Sequence, residues 1–123
     1  MGKKGVQRKT NPELIALVAS LREKGREEGA PIWRDIAQRL ERPSRLWAEV
    51  NVGKLEQFVK EGETAVVPGK VLSAGQVQRP ITVAAYGFSG KAREKITAAG
   101  GNCITLTKLA SDNKNGSKCR ILG

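Results

Sequence analysis

Ser89, Lys91 and Arg93 fall within Gly87-Phe88-Ser89-Gly90-Lys91-Ala92-Arg93, and their order suits the binding of an anion. Ser89 reads as the N-cap of a helix, its hydroxyl accepting from an amide of the first turn while other amides point outward. Lys91 and Arg93 then occupy that first turn, where the helix dipole disfavours cations. A phosphate docked there would satisfy the free amides and both side chains together. The plainer alternative is a simple cap with two solvated cations. A second candidate lies just upstream, in Lys70 to Arg79. Gly69, Ser73, Ala74 and Gly75 allow a ligand close to the backbone. Lys70, Ser73, Gln76, Gln78 and Arg79 can hydrogen-bond phosphate, ribose or base edges, although an ordinary connecting loop has the same composition. No acid occurs between Glu63 and Glu94, so cations dominate both candidates.

Reaction chemistry finds little to work with. The chain has no histidine, which removes Ser-His and Cys-His nucleophile pairs and histidine acid–base catalysis. Cys103 and Cys119 alone do not make a zinc framework, which takes four ligands; they read as reduced structural thiols rather than a disulfide. Gly69-Lys70 lacks the glycine five positions upstream that a nucleotide P-loop needs. Gly87-Phe88-Ser89-Gly90 follows a nucleophile elbow until its closing position, which holds Lys91. The acids form no evident pair. No catalytic residue, metal or cofactor is expected, and no small-molecule substrate.

The elements that must position these residues can be read from pattern. Thr64–Val67 reads as a strand, Pro68-Gly69 as a turn, Ile81–Tyr86 as a second strand and Lys91–Ala99 as a helix closed by Gly100-Gly101. Upstream, Asn11 can cap a helix with Pro12 at its first position and Glu13 at the positive end of the dipole. Leu14, Ile15, Leu17, Val18 and Leu21 recur at helical spacing, and Lys24-Gly25 reads as its end. Pro31 opens a second helix bearing Ile32, Trp33, Ile36, Ala37 and Leu40, so residues 10–45 form a helical hairpin. Arg34, Arg42 and Arg45 lie on its outer face and exit, as phosphate contacts or simply as solvated charge. Arg45–Val50 runs into a short strand, and Asn51 can cap a short helix with Val52, Leu55, Phe58 and Val59. Cys103–Leu106 and Lys118–Leu122 read as strands, with Thr107 capping a short helix between them. Trp33, Trp47 and Phe58 read as core residues, Trp47 the most exposed. Residues 46–123 thus form an α/β core.

At 123 residues the chain has the size of one domain, and its net charge of +10 points to a polyanionic partner. Charged residues make up 28% and hydrophobic ones 39%, which suits a folded core rather than disorder. Aromatics at 4% argue against a reader that stacks successive unpaired bases. Residues 1–9 carry Lys3, Lys4, Arg8 and Lys9 with no acid, and read as a flexible basic arm that lies on an anionic surface. No run approaches the roughly 20 apolar residues of a membrane span, and the N-terminus lacks the apolar region of a secretory signal. A cytoplasmic protein without membrane contact is expected.

Several stretches, taken in order, resemble a known family. They are Asn11-Pro12-Glu13-Leu14, Ile32-Trp33-Arg34-Asp35-Ile36-Ala37 and Glu49-Val50-Asn51-Val52-Gly53-Lys54-Leu55. Val66-Val67-Pro68-Gly69-Lys70-Val71-Leu72-Ser73-Ala74-Gly75, Val83-Ala84-Ala85-Tyr86-Gly87-Phe88-Ser89 and Lys95-Ile96-Thr97-Ala98-Ala99-Gly100-Gly101 follow. Together they resemble the archaeal and eukaryotic large-subunit ribosomal protein family numbered eighteen-e, a relative of bacterial large-subunit protein fifteen. The resemblance implies a compact α/β domain of irregular β-β-α turns with a short sheet and an N-terminal helical hairpin. It also implies a non-catalytic, structural role on large-subunit ribosomal RNA with other ribosomal proteins as neighbours. The chain lacks the long C-terminal extension of eukaryotic members, so an archaeal origin is expected. Asn113-Lys114-Asn115-Gly116 departs from the family's Asn-Pro step. The alternative from another class is a freely exchanging RNA- or DNA-binding regulator outside the ribosome.

Overall fold

A computed structural model describes residues 11–123. The first helix, α1 (Pro12–Glu28), begins where Asn11 holds an extended backbone and its Oδ1 accepts from the amides of Glu13 (2.9 Å) and Leu14 (3.4 Å). It runs past the expected stop at Lys24-Gly25 to Gly29, which takes the left-handed conformation (φ 62°). A Cβ on Gly25 would only make ordinary contacts with the next helix, so that glycine does not break α1. Ion pairs Lys24–Glu27 and Arg26–Glu23 join neighbouring turns of its last stretch. The second helix, α2 (Pro31–Leu40), buries Trp33, Ile36, Ala37 and Leu40 and completes the expected hairpin.

A single 3-10 turn (Ser44–Leu46) leads into β1 (Ala48–Asn51), α3 (Val52–Phe58) and β2 (Thr64–Leu72). Then come β3 (Thr82–Phe88), α4 (Gly90–Ala98), β4 (Asn102–Thr105), α5 (Leu106–Asp112) and β5 (Cys119–Ile121). All pairings in the five-stranded sheet are parallel. β2 is central, with β3 and then β4 on one side. On its other side β5 pairs with Thr64–Val66 and β1 with Gly69–Leu72, so two short strands share one edge. The α/β class and the hairpin therefore stand, with a sheet more regular than the expected β-β-α turns.

A parallel sheet must be covered on both faces, which is why its strands read as apolar runs. Ala65, Val67, Val71, Val83 and Ala85 pack with α3 and α4, while Val66 and Ala84 pack with the hairpin and α5. The expected turn at Pro68-Gly69 is instead strand. Proline cannot donate to the ladder, and it sits where the β2–β3 register shifts between Val67 and Lys70. Gly69 is required by close approach, since a Cβ there would lie 2.1 Å from the Ala48 carbonyl oxygen.

Other corrections are local. Thr105, not Thr107, caps α5, its Oγ1 accepting from the Lys108 amide at 3.1 Å; β4 thus passes directly into the helix. Phe58, expected in the core, is 46% exposed because Val52, Leu55 and Val59 fill the inner face of α3. Trp33 is fully buried with its indole N–H donated to the Lys114 carbonyl, and Trp47 is half-buried. Cys103 and Cys119 are free and half-buried, and burial raises both thiol pKa values.

Candidate nucleic-acid interface

In a parallel sheet every strand ends at the same edge, and the connections leaving that edge lie together. Here they are Asn51 with the start of α3, the loop after Leu72, Ser89 with the start of α4, and Thr105 with the start of α5. Ser89 caps as expected, its Oγ accepting from the Ala92 amide at 3.2 Å. Its own amide donates to the Val71 carbonyl at 2.9 Å, tying the helix start to the end of β2. Lys91 and Arg93 are exposed, and the Arg93 guanidinium lies 4.9 Å from the centre of the Phe88 ring, a cation–π contact that fixes its direction.

The glycine-bearing loop is held beside this helix. Ala74 donates its amide to Asn51 Oδ1 (3.1 Å), and its carbonyl accepts from the Gly53 amide (3.0 Å). Asn51, expected to cap α3, uses its carboxamide on the loop instead. Gly75 has φ 90°, and a Cβ on it would lie 2.7 Å from the Gly53 Cα, so both glycines serve one backbone-to-backbone contact. Lys95 donates Nζ to the carbonyls of Ser73 and Gly75, each at 2.7 Å. Ser73 is half-buried, while Ala74 and Gln76 are exposed.

The candidate residues do not all gather here. Ser73, Gln76, Ser89, Lys91 and Arg93 do, and Lys70, exposed near the end of β2, sits between register partners Glu49 and Gly87. Arg79 is turned inward: it pairs with Glu56 (3.3 Å) and donates to the backbone carbonyls of Glu56 and Val59, closing the C-terminal end of α3. Gln78 likewise gives its amide to Glu56. Arg34 belongs to the opposite edge, since its neighbour Trp33 is bonded to Lys114 in the segment that leads into β5. Arg42 and Arg45 flank the α2–β1 connection, where the Arg42 carbonyl accepts from the Trp47 indole N–H. Lys3, Lys4, Arg8 and Lys9 lie outside the described residues. The helix they precede begins at the carboxyl edge, where Glu13 and Leu17 line a hollow with Tyr86 and Thr105.

Sequence reasoning missed Lys95 and Lys54. Lys95 reads as one more solvated helix lysine, and nothing local marks its carbonyl partners at least 20 positions away. Lys54, exposed on the first turn of α3 beside the loop, was signalled only by its neighbour Gly53. Ion pairing explains how the edge stays positive. Asp35, Glu41, Glu56, Glu63 and Asp112 are paired with cations elsewhere. Lys54, Lys70, Lys91 and Arg93 form no ion pair with a described carboxylate, although exposed Glu94 on α4, Glu49 beside Lys70 on β1 and Glu13 at the start of α1 temper the charge. Among the described residues no group of His, Cys, Asp or Glu is placed to hold a metal ion. What the edge offers is a firm surface of amides, hydroxyls and cations suited to phosphate oxygens.

A family that groups ribosomal proteins 50S-L15 and 50S-L18e with a 60S counterpart matches residues 49–104. A protein of Archaeoglobus fulgidus named large ribosomal subunit protein eL18 is 45% identical over 115 residues, covering 94% of this chain and 98% of the relative. Proteins of the same name from Methanothermobacter thermautotrophicus and Methanopyrus kandleri are 50% and 49% identical. The first alignment covers 85% of this chain and 87% of that relative, the second 92% and 93%. The chain belongs to the eL18 family. The segment matched to the broader ribosomal family runs from β1 to β4 and so contains the loop, the Ser89 cap and α4, while the helical hairpin lies outside it. In this eL18 family chain the start of α1 and Thr105 with the start of α5 lie outside that matched segment.

Proposed function

We propose that this protein is a structural constituent of the large ribosomal subunit that binds and stabilises large-subunit ribosomal RNA, and that it catalyses no reaction. The observation that carries this reading is the carboxyl edge, where Lys54, Lys70, Lys91 and Arg93 surround a loop and a capped helix start already held in place. Four cations without described acidic partners repel one another. RNA phosphates relieve that repulsion and release condensed counterions, which drives binding without reading sequence. Recognition here is of backbone shape more than of bases. Lys3, Lys4, Arg8 and Lys9, joined to α1 at the same edge, extend this footprint, while Arg34, Arg42 and Arg45 make phosphate contacts outside it. Neighbouring large-subunit proteins meet the remaining surface, and the protein resides in cytoplasmic ribosomes. The names of the archaeal relatives support the same assignment.

Sedimentation of cell extract through sucrose tests the reading. The protein should run with the large subunit at moderate salt and leave it only in a high-salt wash. Recovery chiefly at the top of the moderate-salt gradient would favour a freely exchanging RNA- or DNA-binding regulator.

A further inference from the structure

Among the described residues, Lys95 is the one lysine whose ammonium group donates to two backbone carbonyls, and both belong to the loop of the proposed RNA surface. We infer that Lys95 is a positioning residue for RNA binding: it shapes the Ser73–Gln76 loop from behind and does not itself neutralise a phosphate. The inference rests on the functional reading above and concerns how that surface is made.

An unassisted loop carries carbonyl oxygens as well as amides, and outward carbonyls repel an approaching phosphate. Lys95 draws the Ser73 and Gly75 carbonyls onto its Nζ at 2.7 Å. Asn51 Oδ1 holds the intervening Ala74 amide at 3.1 Å, and the Gly53 amide holds the Ala74 carbonyl at 3.0 Å. Three consecutive residues are thereby fixed from two sides, by α4 through Lys95 and by the start of α3 through Asn51 and Gly53. Because Lys95 lies on α4, the same helix that Ser89 caps, its bonds also tie the loop to the Lys91 and Arg93 turn. Two of the three ammonium donors are thereby engaged within the protein, and Lys95 is half-buried where Lys91 and Arg93 are exposed. Ordering the loop before RNA arrives removes an entropic cost from binding.

The test compares Lys95→Met with Asn51→Ala, which loosens the loop without altering charge, and with Lys91→Gln, which removes a proposed phosphate contact. Each full-length variant is titrated with a transcript of complete large-subunit ribosomal RNA at several salt concentrations, and its amide hydrogen exchange is measured without RNA. Lys95→Met and Asn51→Ala should each weaken binding about tenfold and speed exchange at Ala74. Neither should change the slope of log affinity against log salt, whereas Lys91→Gln should reduce it by about 0.7 to 0.9. If the parent chain does not bind the transcript above its non-specific level, the functional reading fails and this inference falls with it. If the parent binds but Lys95→Met binds equally well, leaves Ala74 exchange unchanged or lowers the salt slope like Lys91→Gln, the functional reading survives and the positioning role is overturned. Should Lys95→Met not fold, equal binding by parent and Asn51→Ala overturns the inference, and weakened binding at constant slope supports it.

Discussion

Individual side chains in this protein divide between holding the fold and facing outward, and the division follows from their partners. Glu63 shows the first kind. Arg120 donates Nε and Nη2 to its two carboxylate oxygens at 2.9 and 3.2 Å, and the Lys60 amide adds a third bond at 2.8 Å. The Arg120 hydrogen bonds, followed by the Lys60 amide, hold the Glu63 pKa at about 2 against an ordinary value of 4.5. The folded state thus favours the carboxylate more than the unfolded chain does. The resulting stabilisation is present above about pH 4.5 and is lost as pH falls through about 2. Glu63→Gln should flatten the dependence of unfolding free energy on pH across that window, measured by urea titration at stepped pH. An unchanged slope would remove Glu63 as its source. Such pairs are hard to read from sequence, because Glu63 and Arg120 meet only through the β2–β5 pairing. The Ser89 cap was legible because a cap and its amide are three residues apart.

At the level of elements, legibility tracked how local the deciding interaction is. Both hairpin helices could be placed from caps, prolines and apolar spacing, yet the end of α1 was misread because Gly25 and Gly29 offer two local stops. Only at Gly29 does the chain turn left-handed. Pro68-Gly69 shows the reverse case: a turn-like dipeptide lies inside β2 because Gly69 admits the Ala48 carbonyl of β1, a contact with a strand far away in the sequence. Arg79 was read as an RNA ligand from the composition of its loop, and the structure instead places it on the final carbonyls of α3. Arg79→Met should therefore lower unfolding stability by about 1 kcal/mol, seen as a lower urea midpoint. It should leave the salt slope of RNA binding unchanged. A slope reduced by about 0.7, with stability unaltered, would restore Arg79 to the list of phosphate contacts.

At the scale of the whole molecule, the described surface exposes apolar side chains as well as charge, among them Ile15 on α1 and Tyr86 on β3. A hollow of about 480 Å³ lies between the two hairpin helices and is lined by Leu14, Ile15, Val18 and Leu40, with Arg22 and Glu41 paired at its rim. Lys54, Lys70, Lys91 and Arg93, which form no ion pair with a described carboxylate, border the carboxyl edge, while Arg34, Arg45, Lys114 and Lys118 are exposed elsewhere. A net charge of +10 points to a polyanionic partner but to no particular side of the molecule, since only the parallel sheet brings the ends of β1, β2 and β3 together. The most direct measurement is competition between parent and Lys91→Glu/Arg93→Glu chains, co-expressed with distinguishable tags and quantified in purified large subunits. Both substitutions lie on the exposed first turn of α4, and the isolated variant should melt cooperatively near the parent temperature. The account predicts that the variant is depleted at least about tenfold from subunits relative to the parent, since two charge reversals abolish attraction and add repulsion against phosphate. Equal incorporation of a folded variant would contradict it, and the carboxyl edge would then not be the surface that meets ribosomal RNA.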